Sequence, residues 1–222
     1  MVKITKSQLP PELQDLLNRK SNKRHYSDGD VMQICIDDNH KKCYICESGG
    51  EPLQAEHVKA HRGNKDLEYD WQNILPACVY CNSMKRHLKY DNILNCCTHD
   101  PEDYLVTSMA DELTIEINVY TPHENNPQAV ETKSLLESVY NNVATAQRRD
   151  YSPKLRRKVV SELNKLKNAL DSYANEPDAH LRESFRQSII KLTMRCTPFA
   201  AIKRDYIKSI PAYKCEFGIY LS

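Results

Sequence analysis

The stretch CYICESGGEPLQAEHVKAHRGNKDLEYDWQNILPACVYCNSMKRH, residues 43–87, sets two Cys-x-x-Cys pairs around an acidic-His dipeptide. Cys43 and Cys46 form the first pair, Cys78 and Cys81 the second. Glu56-His57 and Asn73 lie between them, and Asn82 follows the last cysteine directly. A two-residue gap lets one tight turn present both sulfurs, so two such pairs suit a closed tetrahedral zinc site. Glu56 and His57 are not needed for that zinc and are free to do chemistry. The plainer alternative is a structural zinc module, without catalysis, that recruits nucleic acid or a protein partner.

The rest of the composition sets bounds. With 222 residues the chain can hold one large domain or two small ones. Few glycines and a mean hydropathy of -0.67 favour a helix-rich molecule with a polar surface. A formal net charge of +1 means that a nucleic-acid partner, DNA or RNA, would have to meet a local basic patch. Nine cysteines, an odd number in CxxC spacing, point to a reducing compartment, and cytoplasmic is the expectation. The opening MVKITKSQLPPELQ has no apolar leader, and no apolar run approaches the ~20 residues a membrane span requires.

Along the chain we expect an α+β protein in four parts. Residues 1–27 form an N-terminal arm and a short helix after Pro10-Pro11, carrying Leu13, Leu16 and Leu17. Residues 28–100 hold the cysteine-stapled core, with a helix starting near Ser27 or Asp28, a short strand at 53–58 and a helix at 82–89. Residues 101–128 hold a hairpin, Tyr104–Met109 and Leu113–Tyr120, then a polar linker. Residues 129–222 are mostly helical, with Leu155, Val159, Leu163, Leu166 and Leu170 at helical spacing and further helices expected at 177–195 and 198–209.

A phosphodiesterase must deprotonate a water, bind a phosphate and neutralise charge on the leaving oxygen. A histidine with pKa near neutrality can be the base, and a divalent cation on hard oxygen ligands can neutralise the charge. Adjacent side chains on a strand diverge, so Glu56 and His57 could serve these two ends separately, and Asn82 could add a neutral oxygen ligand. Lys85, Arg86, His87 and Lys89 would project from the 82–89 helix. His61 reads as a surface or phosphate-contacting residue. Trp71 and Tyr69 read as core plugs, Cys96, Cys97 and His99 as packing, and Cys35 and Cys196 as residues of apolar helix faces. The run Arg148 to Lys158 suits phosphate contacts or a solvated helix face equally.

The order Cys-x-x-Cys, Glu-His, Asn, Cys-x-x-Cys-Asn-x-x-Lys resembles the zinc-containing HNH endonucleases, whose fold is a ββα-metal core; the likeness covers roughly residues 40–90. It implies that His57 activates water, that Asn73 holds the loop and orients the base, and that Glu56 and Asn82 bind a catalytic Mg²⁺ or Mn²⁺. Cys43, Cys46, Cys78 and Cys81 would then bind structural zinc. The sequence departs from the family in carrying Glu56 where Asp is commoner. His87 competes with Asn82 for the last ligand position, but five residues of helix turn by ~500°, so the two face different ways. His61, Lys85, Arg86 and His87 remain possible substrate contacts. The segments VKITKSQLPPEL, EHVKAH, LEYDWQNILPAC and TPFAAIKRDYI further resemble HNH subunits of Septu-type anti-phage defence systems, some retron-associated. That resemblance implies a separate ABC-type ATPase as partner; this chain has no P-loop of its own.

Overall fold

The computed structural model describes residues 1–21, 23, 25–27, 29–85, 89–111 and 114–221, with the backbone alone at 147. Pro10-Pro11 ends an extended arm and opens α1 (Pro11–Asn18), where a proline loses only an N–H that has no partner in a first turn. A 3-10 turn at His25–Ser27 tucks Tyr26 inward, and α2 (Gly29–Asp38) buries Val31, Met32 and Cys35. The expected cap Asp28 lies outside the described residues. The arm runs back along the molecule as a strap. Ile4 N–H donates to the Cys96 carbonyl, Lys6 Nζ donates to the Ile74 carbonyl, and the same ammonium lies 3.3 Å above the Trp71 ring.

The central hairpin pairs β1 (Leu53–His57) with a later strand across the loop 58–73. That loop contains α3 (Lys65–Glu68), capped by the Asn64 side chain, and a 3-10 turn at Trp71–Asn73 capped by Asp70. The partner is β2 (Ile74–Cys78), antiparallel, with Glu56 opposite Leu75 and His57 opposite Ile74. The last helix of this region, α4 (Val79–Lys85), follows β2 without a break. The helix expected at 82–89 thus starts earlier, and Asn82 lies in its second turn instead of at its start. Arg86 and His87 lie outside the described residues.

A second hairpin joins β3 (Leu105–Asp111) to β4 (Thr114–Val119). Asn126 then caps α5 (Pro127–Asn141), so the polar linker ends in a helix start. Thr145 caps α6 (Ala146–Asn175), a 30-residue helix that begins well before its apolar repeat. After it come α7 (Ala179–Thr193), α8 (Ala200–Ser209) and α9 (Pro211–Phe217), the last of which sequence reasoning missed. Cys196 falls in the turn between α7 and α8 and is half-buried, not on a helix face, because α7 has already ended at Thr193.

Two apolar clusters meet at the central hairpin. One gathers Leu17, Tyr26, Val31, Cys35, Tyr69 and Trp71 from the N-terminal side. The other joins the cysteine-bearing turns to β2, α4, the second hairpin, α5 and α6, and reaches Ile202 of α8. The helical region therefore shares a core with the cysteine region. Polar contacts reinforce the join: Lys42 Nζ donates to the carbonyls of Arg195 (2.5 Å) and Thr197 (3.0 Å), and Tyr140 O–H to that of Cys46 (2.8 Å). Farther out, buried Arg204 pairs with Glu102 at 2.7 Å and ties α8 to the entry of the second hairpin.

Leu135 of α5 is wholly buried in the larger cluster, whereas Leu181 of α7 is 55% exposed. Leu135→Ala should therefore lower unfolding stability by about 2–5 kcal/mol, and Leu181→Ala by no more than about 0.5 kcal/mol, as read by urea denaturation.

Candidate active site

The four cysteines converge. Cys43 and Cys46 sit in a tight turn closed by the Lys42–Gly49 bridge, Cys78 ends β2, and Cys81 lies in α4. All four are buried, and their sulfurs lie within 4.8 Å of one another. A tetrahedron with metal–sulfur bonds of about 2.3 Å has edges near 3.8 Å, so the donor set fits zinc. The Cys81 N–H donates to Cys78 Sγ at 3.4 Å, and the Tyr151 hydroxyl from α6 lies 3.7 Å from the same sulfur. Hydrogen bonds from the other three cysteines hold the Cys78 thiol far below its ordinary pKa, while burial pushes Cys81 up. A doubly charged cation at the centre would relieve that conflict by favouring the thiolate at every position.

Neighbouring residues of β1 face different surroundings, as a strand requires. The Glu56 carboxylate turns inward: Oε1 lies 2.8 Å from Lys85 Nζ, and Oε2 accepts the Tyr44 hydroxyl at 2.5 Å. Burial raises its pKa, and Lys85 and Tyr44 offset only part of that rise. Lys85 also donates to the His57 carbonyl at 2.8 Å and is 1% exposed. The ammonium expected to project toward substrate is thus held inside, because the buried carboxylate claims it.

His57 turns the other way. Its Nε2 lies 2.9 Å from the Glu68 carbonyl, which can only accept, so Nε2 carries the proton and Nδ1 holds the lone pair of the neutral ring. The Tyr26 ring meets the imidazole edge-on at 4.9 Å, and the His61 ring is 5.0 Å away. Burial lowers the His57 pKa, helped by His61 and Lys85 and opposed by the Glu68 carbonyl bond.

Asn73 anchors the loop that carries these groups. Its Oδ1 accepts the Lys59 N–H at 2.8 Å, and its Nδ2 donates to the carbonyls of Lys59 and Leu67, each at 2.9 Å. One buried amide thereby fixes both ends of the segment between His57 and Glu68.

Glu56, His57, His61, Asn82 and Lys85 all line one open cleft of about 810 Å³, walled by Tyr26, Met32 and Arg62. Glu56 and Asn82 both border it, and a carboxylate with an amide oxygen is a donor pair that suits a hard divalent cation, although here Lys85 and Tyr44 hold the carboxylate oxygens. Three contributors escaped the sequence reading. Glu68 is buried, with its carboxylate 2.8 Å from Lys65 Nζ and 3.9 Å from His61 Nδ1. Burial disfavours its charge, but Lys65 holds its pKa below the ordinary value. Tyr26 comes from outside the cysteine-bearing stretch, and Asp91 accepts the Ala60 N–H at 2.5 Å and pairs with Arg62 at 2.8 Å. No spacing rule marks any of them. Tyr69 and Trp71 are core residues, as read from sequence, and Cys96 is buried while Cys97 is half-buried, its thiol pushed by burial up to about 11.

No curated protein and no solved structure matches the chain. A protein-family model does: residues 33–88, which hold the central hairpin, the four cysteines and α4, match the model described as HNH endonuclease, and this supports the HNH family for that segment.

Proposed function

We propose that this protein is a metal-dependent endonuclease that hydrolyses phosphodiester bonds of nucleic acid, with His57 as general base. The observation that carries this reading is the hydrogen bond from His57 Nε2 to the Glu68 carbonyl, which leaves Nδ1 unprotonated in a cleft shared with Glu56 and Asn82. In this reaction Nδ1 takes a proton from water as the water oxygen bonds to phosphorus. The bond from phosphorus to the leaving oxygen breaks, that oxygen is protonated from solvent, and His57 returns its proton to solvent. A divalent cation on Glu56 and Asn82, Mg²⁺ or Mn²⁺, would neutralise charge at the leaving oxygen. Asn73 and Tyr26 orient the base, and His61 borders the phosphate path with Arg62. Zinc on the four cysteines would hold β2 and α4 together and take no part in the chemistry.

The same reading extends to the setting. The likeness of the arm, of EHVKAH and of TPFAAIKRDYI to Septu-type subunits supports an effector nuclease of an anti-phage defence complex, partnered by an ABC-type ATPase in the cytoplasm. Co-purification with the product of an adjacent ATPase gene tests that extension separately. Among the described residues no helix is long and apolar enough to cross a membrane.

His57→Ala should remain folded and zinc-bound and lose about 10²–10⁴-fold in kcat/KM for nucleic-acid cleavage with Mg²⁺ or Mn²⁺. Undiminished cleavage removes the assignment of the base, and binding without cleavage in every metal favours the recruiting module. Protonation silences a general base, and burial lowers the His57 pKa. The acidic limb of the kcat/KM–pH profile should therefore lie below the ordinary histidine value of about 6.5; a limb above it contradicts the assignment. Elemental analysis should find one tightly held zinc per chain, absent in Cys81→Ser together with a large loss of thermal stability.

A further inference from the structure

Lys85 follows Asn82 by three residues on α4, so both side chains project from one face of the helix, and both line the cleft. The Lys85 ammonium nonetheless spends its hydrogen bonds inward, on Glu56 Oε1 and the His57 carbonyl, each at 2.8 Å. Tyr44 engages the second carboxylate oxygen at 2.5 Å. Glu56 is 7% exposed and Lys85 1%. A carboxylate this deep needs a compensating positive charge, and removing one partner of such a pair leaves the other strongly destabilised. The other charged or titratable groups that bear on Glu56 or its strand neighbour are Asp91, His57, His61 and Glu68, and none of them supplies a fixed cation to the carboxylate.

We infer that Lys85 and the divalent cation are alternative occupants of the Glu56 carboxylate. Lys85 is a place-holding counter-ion that the metal must displace. This rests on the nuclease reading, which makes Glu56 a metal ligand. Two cations a few ångströms apart in a poorly solvated pocket repel strongly, so both cannot sit on Oε1. An ammonium on a flexible four-carbon stem can move without disturbing the helix that carries it. Swung into the cleft, it would lie beside His61 and Arg62, where a phosphodiester can receive it. Metal binding alone would thus be weak, and phosphate would favour it by giving the displaced ammonium a new partner.

The test is a calorimetric titration of zinc-loaded protein with Mn²⁺ at mildly alkaline pH, where carboxyl groups ionise. Lys85→Met should bind Mn²⁺ at least about tenfold more tightly than the wild type, Lys85→Arg should bind no more tightly than the wild type, and Glu56→Gln should lose the site in every background. Should Lys85→Met fail to fold, reductive methylation of the wild type with mass-spectrometric readout serves instead: Mn²⁺ should increase labelling of Lys85. A Glu56-dependent Mn²⁺ site that Lys85→Met leaves unchanged or weakens, or Lys85 labelling that Mn²⁺ does not alter, overturns this inference alone. The absence of any Glu56-dependent Mn²⁺ site overturns both it and the assignment of Glu56 as ligand.

Discussion

Four buried sulfurs within 4.8 Å of one another are the constraint around which the structure is arranged. Two come from a turn packed into the larger apolar cluster, one from the end of β2 and one from α4. Their convergence sets where the strand stops and in which direction the helix leaves. A helix that begins at the residue after Cys78 presents Cys81 to the cluster and, farther along, sends Asn82 and Lys85 toward the cleft. Lys42 and Tyr140 tie the first cysteine turn to the turn after α7 and to α5, and Tyr151 of α6 lies against Cys78. Those contacts explain why the helices behind the site are not a separate body.

The site follows from this frame through the alternation of a single strand. Glu56 and His57 are neighbours in sequence but live in different environments, one sealed in by Tyr44 and Lys85, the other bordering open space beside Tyr26 and His61. Burial acts on both and in opposite directions, raising the carboxylate and lowering the imidazole. Each shift favours the neutral form, which suits the proposed role of His57 as a base and works against the proposed role of Glu56 as a metal ligand. Lys85 reconciles the second demand with burial, and Asn73 protects the first by holding the loop from which Glu68 offers its carbonyl.

Part of this was legible in the sequence. Paired cysteines report a cluster because their spacing is itself the geometry. The strand around Glu56-His57, the second hairpin and most helices follow from apolar periodicity. The contribution of Glu68 was not legible, since its backbone carbonyl, common to every residue type, does the work, and α3 is too short to show a repeat. Tyr26 lies thirty-one positions before His57 and reaches it only because α2 packs against the hairpin. Lys85 was read as a possible substrate contact because it follows Asn82 on the helix beside the site, and only tertiary packing reveals that a buried carboxylate claims it. The early start of α4 was missed because Val79 and Tyr80 carry no cap signal.

The largest apolar cluster contains both Met1 and Ile202. On a ribosome, where chains emerge from the N-terminus at about 5–20 residues per second, the cysteine turns are exposed long before the helices that cover them have been made. The four thiols are therefore free to meet a metal ion before α8 has been made to complete the cluster that covers them. Translation thus completes the set of four thiols well before the helices that cover them.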